Sequence, residues 1–553
     1  MSDTPRRAQR PVSSVTEQAR FGPGGRGADS LPAVPKPEQT PASPPRPSRT
    51  AALPLAEAAR LLGLAPAEGP ETAGLEVTGV THDSRAVRPG DVYVAFPGAN
   101  HHGAAFAAAA AASGAVAVLT DAAGAELAAG AGVPLLVVDS PREAMGPLAA
   151  AVYGAPSESM LMIGLTGTNG KTTTSYLVEG GLRGAGRLAG VIGTVEMRVG
   201  EERVKSERTT PEATELHAVL GVMREAGADA VVMEVSSHAL VYGRTDGVVY
   251  DVALFNNLTP EHLDFHPDME DYYRAKARLF EPGKSRHGVA NRDDSYGRRL
   301  AGEARIPMTT FSASGDPAAD WRAVDVQPGP AGSTFRVVGP NGEQAEAAVP
   351  LPGPFNVSNA LGAITVLVTA GVDLDAAVAG VAAVPGVPGR MEKVEAGQDY
   401  VAVVDYAHKP DALSSVLASL REVTKGRLHV VVGCGGDRDP YKRAPMGAIA
   451  ARLADTAVLT SDNPRSEDAL TILATMLTGA AEVPEEERGE VLAVPDRSEA
   501  IALAVARAHS GDTVLVAGKG HELGQYVKGE VRPFDDRQVL RTAIERQIME
   551  VDR

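Results

Sequence analysis

The chain predicts an α/β protein of three domains, and three observations carry that expectation. At 553 residues it exceeds what one core serves, since domains run to roughly 100–200 residues. Short Val/Leu/Ala-rich runs that end in polar residues recur between helix-patterned stretches, the alternation of mainly parallel sheets with chemistry at the strands' carboxyl ends. The third is the run Met160-Leu-Met-Ile-Gly-Leu-Thr-Gly-Thr-Asn-Gly-Lys-Thr-Thr-Thr174, in which an apolar strand enters a glycine-rich turn and then a lysine and threonines.

Residues 1–50 hold ten prolines with arginines, serines and almost no periodic apolar pattern. Such a segment buries too little surface to offset its ordering entropy, so a disordered extension is expected, and deleting residues 1–48 should leave activity intact. From 51 an Ala/Leu-rich helical stretch reaches Leu64, followed by Val80-Thr-His-Asp-Ser-Arg85, Gly90-Asp-Val-Tyr-Val-Ala-Phe96 and a glycine-rich turn through Gly103. Alanine-rich helix then alternates with strands such as Ala115–Leu119, which reads as a small α/β domain over 51–156. The second domain, 157–388, opens with the glycine-rich turn and continues through strands at Ala230–Val235 and Val252–Phe255. A linker-like Pro385-Gly-Val-Pro-Gly389 introduces the third, 389–553, where strands at Tyr400–Asp405, Leu428–Val432, Ala457–Thr460 and Thr513–Ala517 alternate with helical patterns in a doubly wound arrangement.

The formal charge of −17 excludes a general polyanion-binding role, so anionic ligands must be met by local Lys, Arg, metal ions and helix ends. The one cysteine, Cys434, forms no intrachain disulfide and ends an apolar strand, which reads as a buried small residue without a catalytic role. No run reaches the ~18 apolar residues of a membrane span and the N-terminus lacks a signal-peptide core, so a soluble, cytoplasmic protein is expected. The acidic run Glu485–Glu487 reads as a solvated face.

In the glycine-rich turn, Gly167 and Gly170 let backbone N–H groups of Thr168, Asn169 and their neighbours approach phosphate oxygens, and the following helix offers its positive end. Lys171 neutralises outer phosphates and Thr172, with Thr173 beside it, is placed to hold Mg²⁺. The strict G-x-x-x-x-G-K-[ST] spacing is missed by one place, because position 165 is Leu and Gly164 comes early. Glu234 and His262 follow two buried-type strands, where a metal bridging phosphates would sit, either as Mg²⁺ ligands or as groups behind them.

Eight motifs then stand in one order: Thr166–Thr173, Glu234-Val-Ser-Ser-His238, His262-Leu-Asp-Phe-His266, Asn356-Val-Ser-Asn359, Gly389-Arg-Met-Glu392, Asp405-Tyr-Ala-His408, Asp462-Asn-Pro-Arg465 and Gly518-Lys-Gly-His-Glu522. Together they resemble the Mur ligase family over nearly all of residues 51–550. The resemblance implies a UDP-binding first domain, a phosphate-loop ATPase domain and a Rossmann-like third domain. It also implies an ATP-dependent carboxylate–amine ligase that adds diaminopimelate to UDP-N-acetylmuramoyl-L-alanyl-D-glutamate through an acyl phosphate, in peptidoglycan precursor synthesis. A monomer without nucleic-acid partners is expected.

By the same resemblance, Lys171, Glu234, His262 and Lys276 are catalytic, with Mg²⁺ at Thr172, Glu234 and His262 and a CO₂-derived carbamate on Lys276 as a metal ligand. Asn359, Arg390, Asp405 and His408 complete the ATP site, the last three arriving with the third domain as it closes. His82, Ser84, Ala99, Asn100 and His101, then Thr209, Thr210, Ser236, Tyr242 and Arg244, match positions for the UDP-sugar peptide. Arg438, Asp462, Asn463, Pro464, Arg465, Gly518 and Glu522 match the diaminopimelate pocket, where a planar guanidinium suits a carboxylate and Asp462 and Glu522 suit an ammonium. Arg208 and Tyr242 depart from the family's usual residues, Tyr242 standing for a common Gln. Two rival readings differ in class: a ligase for D-alanyl-D-alanine or a folylpolyglutamate-type synthetase, against which Asp462-Asn-Pro-Arg465 argues, and a non-catalytic nucleotide switch.

Overall fold

The computed structural model describes residues 45–65, 74–200, 202–204, 208–329 and 331–551. Three sheets organise it, in the predicted order. The first domain's sheet pairs β1 (Gly79–Thr81), β2 (Asp91–Val94), β3 (Ala117–Thr120) and β4 (Leu135–Val137), all parallel and in chain order. Helix α1 (Pro141–Val152) leaves it, capped by Ser140 Oγ and opened by a proline at its first turn, where no amide is needed.

In the second domain β5 (Leu161–Thr166) feeds α2 (Lys171–Gly184) and β6 (Ala189–Ile192), with the antiparallel edge strands β7 (Met197–Val199) and β8 (Glu202–Val204). Helix α3 (Ala213–Glu225), β9 (Ala230–Glu234), β10 (Tyr250–Phe255), α4 (Met269–Ala277), β11 (Ser285–Asn291) and β12 (Met308–Ser312) follow. Then come β13 (Trp321–Gly329), β14 (Gly332–Val338), β15 (Gln344–Val349), α5 (Pro354–Thr369) and α6 (Leu374–Ala382). The strand order is β8-β7-β6-β9-β5-β10-β11-β12-β13-β14-β15. Its parallel middle is apolar on both faces: Ile163 and Leu165 pack under α2, α5 and α6, and Met162 and Met233 pack under α3 and α4. The carboxyl ends of β5, β9 and β10 therefore carry the glycine-rich turn, Glu234 and the loop 256–266 to one edge.

The third domain orders β16 (Glu392–Lys393), β17 (Val401–Asp405), β18 (Leu428–Cys434), β19 (Thr456–Ser461), β20 (Glu490–Ala493) and β21 (Thr513–Ala517) as β16-β17-β21-β18-β19-β20. All but the edge strand β16 are parallel. Helices α7 (Pro410–Val423), α8 (Arg443–Leu453) and α9 (Ala469–Ala481) cover one face; α10 (Arg497–Ala506) and α11 (Asp536–Val551) cover the other. Between α10 and α11, Arg497 and Asp536 form a fully buried bidentate pair at 2.7 Å. Cys434 is buried against Met446 and burial pushes its thiol up to about 12, so it stays protonated as expected.

Two sequence expectations change. The first helix runs only Leu55–Leu61. Residues 1–44 lie outside the described residues, but 45–50, assigned to the disordered extension, form an anchored strap. The Arg46 guanidinium grips the buried Asp91 carboxylate, with Nη2 to Oδ2 at 2.8 Å. Ser48 N and Arg49 N donate to the two Glu225 carboxylate oxygens at 2.8 Å each. Two glycines make room for the strap. A Cβ on Gly79 would lie 2.2 Å from Asp91 Oδ1 and 2.6 Å from Arg46 Nη1, and one on Gly221 would lie 3.1 Å from Pro47. Deletion through residue 48 would strip a buried carboxylate of its cation, so a silent deletion through that residue is not expected.

Candidate active site

At the end of β5, Thr166 Oγ1 donates to Val235 O at 2.8 Å and ties the turn to β9. Gly170 has φ +82°, and a Cβ there would lie 2.3 Å from both Asn256 Nδ2 and Asn359 Oδ1, so only glycine fits beneath that amide pair. Asn256 Nδ2 bonds Asn359 Oδ1 at 3.0 Å, and Asn359 Nδ2 bonds Asn356 Oδ1 at 3.1 Å, which locks α5 to the turn. Asn169 N donates to Asn257 Oδ1 at 2.8 Å, and Thr168 Oγ1 exchanges bonds with Thr259. Lys171 opens α2, and its Nζ folds back onto Gly167 O at 2.8 Å and Thr168 O at 3.1 Å. Thr173 is buried one residue beyond Thr172.

Thr172 Oγ1 donates to Glu234 Oε1 at 2.9 Å, and Thr194 donates its N to Oε1 and its Oγ1 to Oε2, both at 3.0 Å. Hydroxyl and buried carboxylate are thus joined, an oxygen set suited to a hard divalent cation. Among the described residues no three His, Cys, Asp or Glu side chains gather as a metal cluster. His262, expected at a second metal position, has φ +57° and sits on Glu261 Oε1 at 3.1 Å, edge-on to His238 with ring centroids 4.7 Å apart. Burial lowers its pKa to about 4, so the ring is neutral and free to act as a ligand near neutrality. Lys276, on α4, is 1% exposed and its Nζ donates to Gly167 O at 3.0 Å, the oxygen that Lys171 also uses. Burial first, then Lys171, drives the Lys276 ammonium well below its ordinary pKa.

The third domain reaches this edge. Arg390 Nη2 lies 3.4 Å from Thr172 Oγ1, and its guanidinium stacks 4.4 Å over the Tyr406 ring. Asp405 accepts from Met391 N at 2.7 Å and Ala407 N at 2.8 Å, which fixes the turn carrying His408. His408 Nδ1 bonds Tyr406 O at 2.8 Å, and burial with Lys409 and Lys442 lowers its pKa to about 3. Lys409, which the sequence reading did not single out, makes an ion pair with Glu261. Burial alone would raise the Glu261 pKa, but Lys409, His262 and Lys171 hold it at about 2.

The proposed UDP-sugar residues divide between the first two domains, and His82 and Tyr242 make contacts across their seam. His82 Nδ1 bonds Thr214 Oγ1 at 3.0 Å and its ring stacks on Phe96. Ser84 hydrogen bonds the Tyr93 hydroxyl. Ala99, Asn100 and His101 form an exposed turn closed by Gly98 N to His101 O at 3.0 Å. Thr209 Oγ1 bonds Thr194 Oγ1 at 3.1 Å, and Thr210 Oγ1 donates to Glu234 O at 2.8 Å. Ser236 caps the helix Ser237–Val241 through Ala239 N. Arg244 Nε donates to Glu212 Oε1 at 2.8 Å. The departure at Tyr242 has a local account: Arg142, from α1, lies 5.3 Å from its ring and 4.4 Å from that of Phe96, so the aromatic helps join the two domains. Arg208, the other departure, is exposed and faces Glu215 at 3.9 Å.

The proposed amino-acid residues meet where β19 and β21 end. Asp462 Oδ1 accepts from Asn463 N, while its buried Oδ2 has no hydrogen-bond partner. Gly518, at φ +115°, keeps the space beside that oxygen, since a Cβ there would lie 2.8 Å from Oδ2. Asn463 Nδ2 donates to Glu522 Oε2 at 2.8 Å, and the fully buried Lys519 bonds Asn463 Oδ1 at 2.9 Å and Glu522 Oε2 at 2.8 Å. Arg465 takes φ +53° after the buried Pro464, and its Nη1 donates to Gly436 O at 2.6 Å. Arg438 is exposed on the neighbouring loop. This pocket connects to Glu234 through Thr194. A Cβ on Gly389 would lie 2.1 Å from His521 N, so the Arg390 loop packs on Gly520–His521, and the His521 imidazole bonds the Thr194 backbone.

The family models that match the chain describe the Mur ligase family catalytic domain over residues 76–153, the Mur ligase middle domain over 165–367 and the Mur ligase glutamate ligase domain over 389–520. A protein of Streptomyces avermitilis named UDP-N-acetylmuramoyl-L-alanyl-D-glutamate--2,6-diaminopimelate ligase is 66% identical over 502 residues, 91% of this chain and 98% of that protein. One of the same name from Streptomyces coelicolor is 65% identical over 503 residues, with the same coverage. A solved structure with that name aligns at TM-score 0.65 and 32% identity, over 90% of this chain and 100% of that one. A MurF structure from Acinetobacter baumannii, at TM-score 0.62 and 18% identity over 90% and 99%, shares the fold.

Proposed function

Since the chain belongs to the Mur ligase family, we propose that it joins diaminopimelate to UDP-N-acetylmuramoyl-L-alanyl-D-glutamate with ATP, in peptidoglycan precursor synthesis. A carboxylate oxygen of the D-glutamyl residue attacks the γ-phosphorus and ADP leaves. An amine of diaminopimelate then attacks the acyl-phosphate carbonyl, phosphate leaves, and the amine's proton is lost as the amide forms. Lys171 and Arg390 screen the meeting of two anions, which otherwise repel. The third domain's packing over the turn excludes water that would hydrolyse the acyl phosphate. Mg²⁺, held by Thr172 and Glu234 with His262 as a further ligand, would supply charge neutralisation at the transferred phosphoryl group.

Carbamylation of Lys276 fits its surroundings. Two lysine nitrogens share Gly167 O, so the buried one is favoured as a neutral amine, the form that adds to CO₂. The carbamate would turn that position into an anionic oxygen donor beside Lys171. Acid protonates the amine, so the carbamate should be lost as pH falls through the lowered Lys276 pKa. The same reading has the enzyme act as a cytoplasmic monomer.

One observation carries the choice of substrate chemistry. An unpartnered buried carboxylate oxygen at Asp462, with Glu522 and Arg465 nearby, lies in a pocket whose neighbour His521 bonds Thr194, a partner of Glu234, and packs on the loop of Arg390, which lies 3.4 Å from Thr172. An amino acid bound there by its ammonium and carboxylate would bring its second amine toward the phosphate turn. The test is phosphate release from ATP with the UDP-sugar dipeptide and meso-diaminopimelate, LL-diaminopimelate, L-lysine or no amino acid. Release dependent on diaminopimelate is expected; equal release with lysine, or release indifferent to all four conditions, would refute the proposal.

A further inference from the structure

Glu261 puts a second carboxylate, besides Glu234, close to the lysines of the phosphate turn and the third domain. It lies in the loop after β10, one residue before His262, with its side chain 12% exposed. Lys171 and Lys409 act on it electrostatically, and His262 Nε2 rests on its Oε1. Lys409 comes from the third domain. It precedes Pro410, whose ring holds it in an extended conformation (φ −132°, ψ 154°) at the rigid start of α7. Asn169 of the phosphate turn, Thr259, Pro260 and Lys409 line a cavity of about 300 Å³ between the two domains. Lys409 thus lines a cavity shared with the phosphate turn, its ion pair with Glu261 spans the domain junction, and both partners keep some solvent contact.

We propose that Glu261 holds Lys409 in place of a phosphate when no nucleotide is bound, and that the γ-phosphate of ATP displaces it and takes Lys409 over. The inference rests on the ATP-dependent reading above and adds a residue to it. A terminal phosphate carries more charge than a carboxylate and presents several acceptor oxygens, so it competes well for one ammonium. ADP has no γ-phosphate and leaves the pair intact. Lys409 thereby becomes a positioning residue that links domain docking to the phosphoryl group about to transfer, while Glu261 competes with that group for the Lys409 ammonium.

The test measures equilibrium binding of the β,γ-imido analogue of ATP and of ADP to the full chain, Lys409→Met and Glu261→Gln, with Mg²⁺ present. Lys409→Met should weaken the triphosphate analogue roughly tenfold and leave ADP within about twofold. Glu261→Gln, which frees Lys409, should tighten the analogue severalfold and leave ADP unchanged. Equal effects on both nucleotides would make the pair a plain interdomain contact, and weaker analogue binding by Glu261→Gln would make Glu261 a support for the metal; either overturns the proposal. If Lys409→Met fails to fold, the sign of the Glu261→Gln effect still decides. No sugar peptide or amino acid is present, so failure here is separate from failure of the ligase reading, which phosphate release tests.

Discussion

Between the first and second domains the seam is a shared core: Ala213 and Ala218 of α3 pack with Leu148 and Val152 of α1 and with Tyr153 at its end among the first domain's buried residues. The Arg46 strap, the Arg142–Glu212 pair and Arg224 on the carbonyls of Tyr153 and Gly154 reinforce it. The seam between the second and third domains is mostly polar. Apart from Phe355 packed beside the third domain's core, its contacts include Arg390 to Thr172, Lys409 to Glu261 and His521 to Thr194. Apolar burial is lost only by exposing surface, whereas polar contacts exchange readily with water and ligand. The first seam should therefore stay shut and the second should open and close around substrates.

The largest expected effect falls on the second seam. Lys171→Ala should lower turnover by on the order of a thousandfold, with the unfolding midpoint little changed, because on the proposed reading it removes the ammonium that leaves Gly167 O and Thr168 O to screen the phosphates. Matching losses of stability and activity would mean that the polar seam is structural. On the first seam, Arg46→Ala leaves the buried Asp91 uncompensated and should cost about 3 kcal/mol in denaturant unfolding. Truncation of residues 1–44 should cost nothing, and truncation of 1–49 should match Arg46→Ala; equal cost for the two truncations would refute the strap.

The first seam should also answer to acid. His217, on α3, is fully buried, bonds Asp246 O at 2.9 Å, and burial lowers its pKa to about 4. The unfolded chain takes up this proton first, so stability is full above about pH 6.5 and falls as pH drops toward 4. The loss attributable to His217 should reach about 3 kcal/mol. A His217→Gln variant whose stability declines as steeply over that window would remove the imidazole from the account. The smallest effect is in the amino-acid pocket. Asp462→Asn keeps the oxygen that accepts from Asn463 N but removes the charge, so KM for diaminopimelate should rise roughly tenfold with no loss of stability. Unchanged KM would break the ammonium assignment.

The sequence disclosed what is local. The phosphate turn is contiguous between one strand and one helix, and Thr513–Ala517 is the strand the pattern predicts. The parallel sheets follow from apolar runs ending in polar residues. What is distant in sequence was hidden. Glu261 finds Lys409, Thr194 finds Glu234 and Arg46 finds Asp91 only through tertiary packing, and Glu261, Thr194 and Arg46 alone carry no local signal of it. Lys519, inside a motif already quoted, escaped because nothing local says that its ammonium is buried between Asn463 and Glu522. The antiparallel run β13-β14-β15 did leave a signal. Asn341-Gly342, with Gly342 at φ +85°, is the turn chemistry of a tight hairpin between two alternating strands.

Amide hydrogen exchange, with and without the β,γ-imido analogue of ATP and Mg²⁺, tests the contrast between the seams most directly. Slower exchange in the phosphate turn 166–173 and, across the second seam, in 256–262, 389–410 and 518–522, with 45–49, 86–92 and 212–225 unchanged, is the predicted result. Equal protection at both seams, or none at the second, would contradict it.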